Sequence, residues 1–382
     1  MGMDLPDTIT LRSILGIFRM ESHDGEYRGR SNGFSLTIRP SDGGYTAEAV
    51  SDRDGWGAAA KTVEIPFTDA DSLTASMEIW LDGLCPQVVE EYADDVRYLE
   101  TVRGKVAYYS YNTDLDTVPV VFVHGGPGGE CNPVKARRLK LAHPVYAYDQ
   151  MGCGRSDPIK DLDSWGLDDY VAELSDFIDH IGSDKVILIG ASWGAGLSVA
   201  YAESTGCSKI TAMVLPSPFV SSRRWADDQM KNLKAMSDGM YEGMRRCIRD
   251  NDLGPEFKRI MGEYYARYLF CRGCFRDIAI ANAEEPFSDV FLTLWGPNDM
   301  VCTGTLKDFD VVPGMKDISV PTLFMCGDSD EVTVETMLEY RGLVKGSRFA
   351  VIPYAGHVTA MEQFDLYRES IVAFLRENGF DV

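Results

Sequence analysis

Long apolar runs and basic residues are both scarce in this sequence of 382 residues. It contains no run of roughly 18 apolar residues, the length that a membrane-spanning helix needs, so we expect no membrane span. Lys and Arg number 37 against 59 Asp and Glu, which gives a formal net charge of −22 at pH 7. An acidic surface repels phosphate backbones, so nucleic acid is not an expected partner. Such a surface would attract cationic substrates, although plain solubility is the simpler explanation of the charge.

The sequence also starts without the basic segment and the small-residue cleavage site of a secretory signal. Its 9 cysteines are an odd number scattered along the chain, which favours reduced thiols and a cytoplasmic location. Cys271 and Cys274 have C-x-x-C spacing, but no second pair is present to complete a zinc site. Ordinary packing is therefore favoured over a redox or zinc role for this pair.

The first 95 residues differ in pattern from the rest of the chain. Phe34–Arg39 alternates apolar and polar residues as a strand does, and Tyr45–Val50 and Thr62–Phe67 resemble further strands. An apolar face over Asp69–Leu84 predicts a helix. We expect residues 1–95 to form a small α+β module. Its role is open between a homo-oligomer contact, a docking element and a cover over the remaining chain.

Residues 96–218 and 313–382 alternate strand and helix signals. The strands at Val118–Val123 and Lys185–Ile189 are nearly continuous apolar runs, as in a parallel sheet that is covered on both faces. This alternation predicts a doubly wound, mostly parallel sheet with right-handed crossovers. Between the two parts, residues 219–312 are rich in Met, Arg, Tyr and Cys with helical periodicity. We expect this insertion to form a helical cap.

Residues 190–194 read Gly-Ala-Ser-Trp-Gly and stand between an apolar strand and a run of small residues typical of a buried helix. A Ser at such a strand–turn–helix junction is the nucleophile elbow of the α/β-hydrolase fold. A glycine-rich turn with an incidental Ser is the alternative, but the flanking strand and helix favour a catalytic Ser192. The sequence thus predicts an α/β-hydrolase fold with a helical cap insertion and a small α+β N-terminal module.

A Ser hydroxyl needs a neighbouring base, and the chain has only 5 His. His357 follows the last predicted strand and fits the chain order Ser, acid, His of the α/β-hydrolases, so we expect it to be the base. The other four are disfavoured by their positions. His23 lies in the N-terminal module and His124 in a glycine loop, while His143 precedes a strand and His180 lies near the end of a surface helix.

The acid that orients the base should follow the penultimate strand. Residues 326–331, Cys-Gly-Asp-Ser-Asp-Glu, offer three carboxylates at that place. The usual spacing of Gly and then Asp three residues later selects Asp330 and leaves Asp328 as a loop residue. Such an acid holds the imidazole in the correct tautomer and stabilises the imidazolium.

The oxyanion of the tetrahedral intermediate needs backbone N–H donors. We expect one donor from Trp193, which directly follows the nucleophile, and one from the glycine loop at 124–129. Gly126 is favoured in that loop. Glycines are suited to it because the backbone must come close to the substrate carbonyl.

Several motifs are together similar to those of the proline iminopeptidase family of α/β-hydrolases. Two cap segments, at 295–299 and 304–310, resemble the tricorn-interacting aminopeptidase branch, which cleaves short peptides from the amino end. The core motifs that carry the resemblance are His-Gly-Gly-Pro-Gly at 124–128, Asp-Gln-x-Gly-x-Gly-x-Ser at 149–156 and Gly-x-Ser-Trp-Gly at 190–194.

The resemblance, which covers about residues 97–382, implies how the free amino group of the substrate is held. In that branch one acidic residue follows the Trp-Gly-Pro-Asn run and a second follows the triad Asp. The corresponding residues here are Asp299 and Glu331, and the family usually has the longer Glu at the first position. Two carboxylates facing an ammonium supply charge-assisted hydrogen bonds and select an unblocked N-terminus. The alternative role for Asp299 is a helix-capping or solvated carboxylate.

These observations predict a cytoplasmic serine aminopeptidase, or a related amidase, that acts on short peptides or aminoacyl amides through an acyl-enzyme. No metal or organic cofactor is required. A small-molecule amidase or esterase with the same triad is the first alternative, and a binding or scaffold protein with a passive hydrolase fold is the second. Epoxide hydrolase and dehalogenase chemistry are disfavoured because both need Asp at the position of Ser192.

Overall fold

Two separate β-sheets organise the structure, one of six strands and one of eight. They belong to a computed structural model that describes residues 8–13, 16–31, 34–41, 44–51, 61–66, 73–74, 76–77, 80–81, 96–271 and 275–382. The helices in these ranges are all too short or too polar to span a lipid bilayer.

The N-terminal sheet is an antiparallel meander in which each strand pairs with the next one along the chain. The turn between its second and third strands is Asp24-Gly25, with φ of 53° and 79°. Positive φ at both central residues matches the twist of a tight hairpin. The strands are β1 Thr8–Ser13, β2 Gly16–His23, β3 Glu26–Ser31, β4 Phe34–Ser41, β5 Gly44–Ser51 and β6 Lys61–Pro66.

Strands β4, β5 and β6 lie where the sequence predicts strands, whereas β1, β2 and β3 are not among the predicted elements. The spacing of two between the buried Ile9 and Leu11 is a strand signal that the sequence does offer. The residues described within the expected helix 69–84 are helical, and the rest of that range lies outside the described residues.

The eight-stranded sheet has the order β14-β13-β12-β11-β9-β10-β8-β7. Strands β9 to β14 run parallel, and the hairpin β7–β8 joins β10 antiparallel at one edge. This arrangement confirms the predicted mostly parallel sheet. Its strands are β7 Arg97–Thr101, β8 Gly104–Tyr111, β9 Val120–Val123, β10 Val145–Tyr148, β11 Val186–Gly190, β12 Ile210–Pro216, β13 Thr322–Gly327 and β14 Arg348–Ile352.

Helices cover both faces of this sheet, and five of them, α4 to α8, lie between β12 and β13 in the chain. A π-helical turn, Tyr265–Leu269, follows α6 directly. The helices are α1 Pro133–Arg138, α2 Leu167–Ile181, α3 Trp193–Thr205, α4 Ser222–Met236, α5 Asp238–Asp250, α6 Pro255–Tyr264, α7 Arg276–Asn282, α8 Asp289–Leu294, α9 Val334–Leu343, α10 Thr359–Glu362 and α11 Phe364–Glu377.

The terminal helix, predicted as one element from about 359 to 377, is broken into α10 and α11 at Gln363, whose φ and ψ are −137° and 61°. The break coincides with a buried polar contact. The Glu362 carboxylate accepts hydrogen bonds from the backbone N–H groups of Gly356 and Cys271. Cys274, the partner of Cys271 in the C-x-x-C spacing, lies outside the described residues.

The N-terminal sheet packs against the cap. The buried face of this sheet and the inner faces of α4 to α7 belong to one contiguous apolar cluster, which joins Phe18 and Leu36 to Leu233, Met244 and Tyr264. The main sheet has its own two clusters, one on each face. The described residues of the N-terminal sheet thus share their apolar core with the cap.

Candidate active site

Ser192 occupies the turn between β11 and α3 with φ of 53° and ψ of −119°. A non-glycine residue rarely adopts positive φ, so the surrounding structure must hold this conformation in place. The glycines on either side allow the close approach of neighbouring backbone. A Cβ at Gly194 would overlap the carbonyls of Val123 and His124, and one at Gly190 would overlap the carbonyl of Gly194.

His357 lies on the loop after β14, and its Nδ1 is 2.8 Å from Oδ1 of Asp330. The Asp330 carboxylate is fully buried. Its Oδ2 accepts hydrogen bonds from Ser217 Oγ at 2.6 Å and from the Gly327 N–H at 3.0 Å. The backbone N–H of His357 donates to the carbonyl of Tyr268 in the π-helical turn. The imidazole is therefore oriented by Asp330, and the backbone of His357 is held by the π-helical turn of the cap.

One cavity of about 320 Å³ brings together most of the residues that the sequence singles out. Ser192, His357, Gly126, Asp299 and Glu331 all line it. Asp330 lies behind His357, where it contacts the far side of the imidazole ring. The carboxyl ends of the parallel strands and the cap thus meet around a single small space.

Gln150 connects the two segments that carry the expected oxyanion donors. Its side-chain amide donates to the carbonyl of His124 at 3.0 Å and accepts from the indole Nε1–H of Trp193 at 2.9 Å. Its backbone N–H donates to His124 Nε2 at 3.0 Å. In the sequence, Gln150 is recognisable only as part of a family motif, and its role as a bridge between the two segments is evident only from the structure.

The other four histidines lie outside the cavity wall, and three of them have hydrogen-bond partners elsewhere. His124 is neutral, because its Nε2 accepts a hydrogen bond and burial lowers its pKa. His143 Nδ1 is 2.7 Å from the carbonyl of Val118, and His180 Nε2 is 3.1 Å from the hydroxyl of Tyr108. His23 is exposed on β2. None of the four lines the cavity within the described residues.

Asp299 is held at the wall of the cavity by the cap. Its Oδ2 accepts a hydrogen bond from the Tyr265 hydroxyl at 2.7 Å. The preceding Asn298 fixes the loop, because its side-chain oxygen accepts from the backbone N–H groups of Met300 and Val301. Burial raises the pKa of Asp299 to about 6, against the hydrogen bond from Tyr265 and the nearby His357, which lower it. The carboxylate is thus partly exposed at the cavity wall and is hydrogen-bonded to the cap.

Glu331 lies beside the base, with its Oε2 3.8 Å from His357 Nδ1. Its side chain is 3 % exposed, and its Oε1 has no hydrogen-bond partner within the described part of the chain. Burial raises the pKa of Glu331, an effect that the neighbouring His357 opposes and the Asp299 carboxylate reinforces. An unsatisfied buried oxygen costs free energy unless a ligand supplies a donor.

The pKa of His357 reflects these carboxylates. Burial alone lowers the pKa of the imidazole, but Asp330, Glu331 and Asp299 outweigh burial and raise it to about 9. The protonated ring is thus strongly favoured when nothing else occupies the cavity.

Aromatic side chains from the cap and its junctions complete the cavity wall. Phe219, Trp225, Phe291 and Trp295 line it together with the two carboxylates. The ring of Trp193 is fully buried, with its centroid 6.2 Å from that of Phe219. The composition of this wall cannot be predicted from the sequence, because its residues come from two separate regions of the chain, 219–225 and 291–295.

Comparison with known proteins agrees with this geometry. The model of the alpha/beta hydrolase fold family matches residues 118–364. A proline iminopeptidase from Heyndrickxia coagulans is 30% identical over 281 residues, which are 73% of this chain and 97% of that protein. This chain belongs to the proline iminopeptidase family of α/β-hydrolases. The predicted family and fold are thereby confirmed.

Two further relatives of this proline iminopeptidase family member have lower similarity. The proline iminopeptidase of Saccharolobus solfataricus is 29% identical, over 71% of this chain and 88% of its own. The crystal structure of VinJ superposes with a TM-score of 0.65 and 25% identity, over 75% of this chain and 99% of that one.

In this α/β-hydrolase the cap is fastened to the loop that carries both Asp330 and Glu331. Asn232 of α4 donates from Nδ2 to the carbonyls of these two residues, at 3.2 Å and 3.0 Å. One turn earlier, the buried Asp228 accepts from the N–H and hydroxyl of Thr333. Sequence reasoning missed Asp228 and Asn232, although polar residues four apart on one helix face are a weak signal of such a contact.

Proposed function

We propose that this protein is a serine aminopeptidase that removes the N-terminal residue from short peptides or aminoacyl amides with a free amino group. One observation carries the proposal. Ser192, the base His357 and two carboxylates, the partly exposed Asp299 and the buried Glu331, line the same small cavity. A nucleophile beside an acidic subsite suits a carbonyl that is adjacent to an ammonium group.

In this mechanism the Ser192 hydroxyl attacks the first carbonyl of the substrate while His357 accepts its proton. Asp330 holds the Nδ1–H of the ring and stabilises the imidazolium that forms. The backbone N–H groups of Trp193 and Gly126 stabilise the oxyanion. His357 then protonates the leaving amine, which departs and leaves an acyl-enzyme. Water, activated by the same base, releases the free amino acid.

Asp299 and Glu331 bind the substrate ammonium and so fix which bond is cleaved. Burial of two carboxylates is costly unless a positive group compensates their lost hydration. An ammonium supplies up to three N–H donors, including one for the unpaired Oε1 of Glu331. An N-acetylated substrate offers no charge and one donor at most, so it leaves this cost uncompensated.

The wall of Phe219, Trp225, Phe291 and Trp295 would contact the side chain of the first residue. Apolar surface of this kind favours apolar residues, including the proline ring, over charged ones. The cavity volume of about 320 Å³ excludes folded proteins and favours small substrates.

The test is hydrolysis of alanyl, prolyl, leucyl and phenylalanyl p-nitroanilides and of their N-acetyl counterparts. Wild-type protein should cleave the free-amine substrates at least about 100-fold faster than the acetylated ones, because the carboxylate pair is left unpaired with the latter. Ser192→Ala should abolish turnover and labelling by a fluorophosphonate, with an unchanged circular dichroism spectrum. Equal rates on free and acetylated substrates would contradict the amine site and favour a general amidase or esterase.

A further inference from the structure

Three carboxylates surround the imidazole of His357, far more than a base needs for orientation. Asp330 contacts Nδ1 at 2.8 Å, and Glu331 Oε2 lies 3.8 Å from the same atom. Asp299, from the cap, lines the same cavity as the ring, and it is one of the three charges that raise the affinity of the ring for a proton. This arrangement favours a cation at the position of the ring.

The other groups packed around the ring do not offset this negative charge. Trp225 of α4 contacts it edge-on at 5.3 Å between ring centroids, and the π-helical turn offers the carbonyl of Tyr268. Two buried phenols, Tyr264 and Tyr265, stay neutral because burial raises their pKa values well above the ordinary range. Lys135 of α1 lines the same cavity, but the charges with the largest effect on His357 are all carboxylates.

A protonated imidazole cannot accept the proton of the Ser192 hydroxyl. The carboxylates at 2.8 Å and 3.8 Å from its Nδ1 raise the pKa of His357 and therefore favour the inactive, protonated form of the base in the empty enzyme. Something must lower the affinity of the ring for its proton before acylation can begin.

We propose that the ammonium group of the substrate itself switches His357 to its neutral form by binding between Asp299 and Glu331. The proposal rests on the proposed function. The bound ammonium places a positive charge beside two of the three carboxylates, and the imidazolium then releases its Nε2 proton to solvent. One cation thus replaces another in the cluster, and the total charge of the site is conserved.

The buried geometry of Glu331 supports this exchange. Its Oε2 faces His357 while its Oε1 is unpaired within the described residues, so one carboxylate can contact both the ring and a ligand. A free amine would then be selected in kcat as well as in KM, because a substrate without it meets a protonated base.

The test compares the pH dependence of two substrates. The first is alanyl p-nitroanilide, which carries the ammonium, and the second is p-nitrophenyl propionate, which has the same acyl chain without it. The acid limb of kcat/KM for the propionate reports the free enzyme and should lie near pH 9. The acid limb of kcat for the anilide reports the complex and should lie at least about one pH unit lower.

Glu331→Gln should move the two activities in opposite directions. It removes one carboxylate beside His357, so hydrolysis of the propionate at pH 7 should rise by about 10-fold, as for a pKa lowered by about one unit. Hydrolysis of the anilide at pH 7 should fall by at least about 10-fold, because half of the ammonium site is lost. Glu285→Gln, at an exposed carboxylate of the cap that does not line the cavity, is the control and should change neither activity by more than about 2-fold.

The outcomes separate the two hypotheses. If the anilide is cleaved but both limbs coincide, or if Glu331→Gln slows both substrates while its circular dichroism spectrum matches that of the wild type, the switch is wrong and the aminopeptidase stands. If the propionate is cleaved and the anilide is not, the proposed function fails and the switch fails with it. A misfolded variant would lose both activities. Faster hydrolysis of the propionate by Glu331→Gln therefore cannot result from misfolding.

Discussion

The two sheets of this molecule differ in how they are covered and in what lies at their edges. The central strands β9 and β11 of the eight-stranded sheet are buried at every position, so polar groups can meet only on the loops beyond the strand ends. The N-terminal sheet is antiparallel, and β4 alternates buried and partly exposed residues. Among the described residues, none from the N-terminal sheet lines the cavity.

The candidate catalytic residues and the residues that stabilise the cap are therefore found on different sheets. Ser192, Asp330 and His357 follow β11, β13 and β14, and the carboxyl ends of parallel strands share one edge of the sheet. The N-terminal sheet instead shares its apolar core with the cap, which carries Asp299. The described residues of the first sheet therefore contact the cap and do not line the cavity.

The largest effect is expected from Asp330→Asn. The amide would lose the charge that stabilises the imidazolium and would favour the wrong tautomer, so kcat on alanyl p-nitroanilide should fall by about 10⁴-fold. Glu48→Gln on β5 of the N-terminal sheet is the matched control and should leave kcat within about 2-fold of wild type. A loss below about 10-fold for Asp330→Asn would show that chemistry is not concentrated at the edge of the main sheet.

An intermediate effect is expected from Gln150→Leu, which removes both side-chain hydrogen bonds between the His124 loop and Trp193. Since a small misplacement of oxyanion donors acts on the transition state, kcat should fall by about 10- to 100-fold with little change in KM. Steady-state kinetics on the same anilide separate the two constants. If KM rose by about 10- to 100-fold while kcat stayed unchanged, Gln150 would contribute to substrate binding rather than to the positioning of the oxyanion donors.

The smallest effect on activity is expected from Leu36→Ala in β4, compared with Leu188→Ala in β11. Both side chains are buried, so each change should lower the free energy of unfolding by about 2–5 kcal/mol. Leu188 supports the strand that carries the elbow, and its loss should also lower kcat by about 10-fold or more. Leu36→Ala should keep kcat within about 2-fold at temperatures where the protein stays folded. Denaturant unfolding and kinetics on both variants check this contrast.

The sequence identifies the chemistry of the main sheet better than the architecture around it. The apolar residues of β11 and the glycines around Ser192 predict a strand–turn–helix junction, because the close packing at such a turn leaves no room for larger side chains beside the Ser. The pairing of His357 with Asp330 is predicted from chain order, and the structure places the two side chains 2.8 Å apart. Their catalytic roles stay predictions that the variants above test.

The packing of the cap cannot be predicted from the sequence. Helical periodicity indicates helices in residues 219–312, but not which of their faces meet the loop at 330–333. The contacts of Asp228 and Asn232 with that loop join residues about a hundred positions apart. Such long-range contacts leave only a weak trace in local patterns.

The break at Gln363 is a similar case. Residues 359–377 have the composition of one helix, and only the buried contacts of Glu362 with the backbone of Gly356 and Cys271 favour two. Tertiary hydrogen bonds here override local helix propensity.

A crystal structure of the protein phosphonylated by a 1-aminoalkylphosphonate diester would test the central claim most directly. We expect a covalent bond from phosphorus to Ser192 Oγ and a phosphoryl oxygen within hydrogen-bond distance of the Trp193 and Gly126 N–H groups. We also expect the ammonium between Asp299 and Glu331, with His357 Nε2 facing Ser192. Attachment at another residue, or an ammonium that points away from both carboxylates, would contradict it.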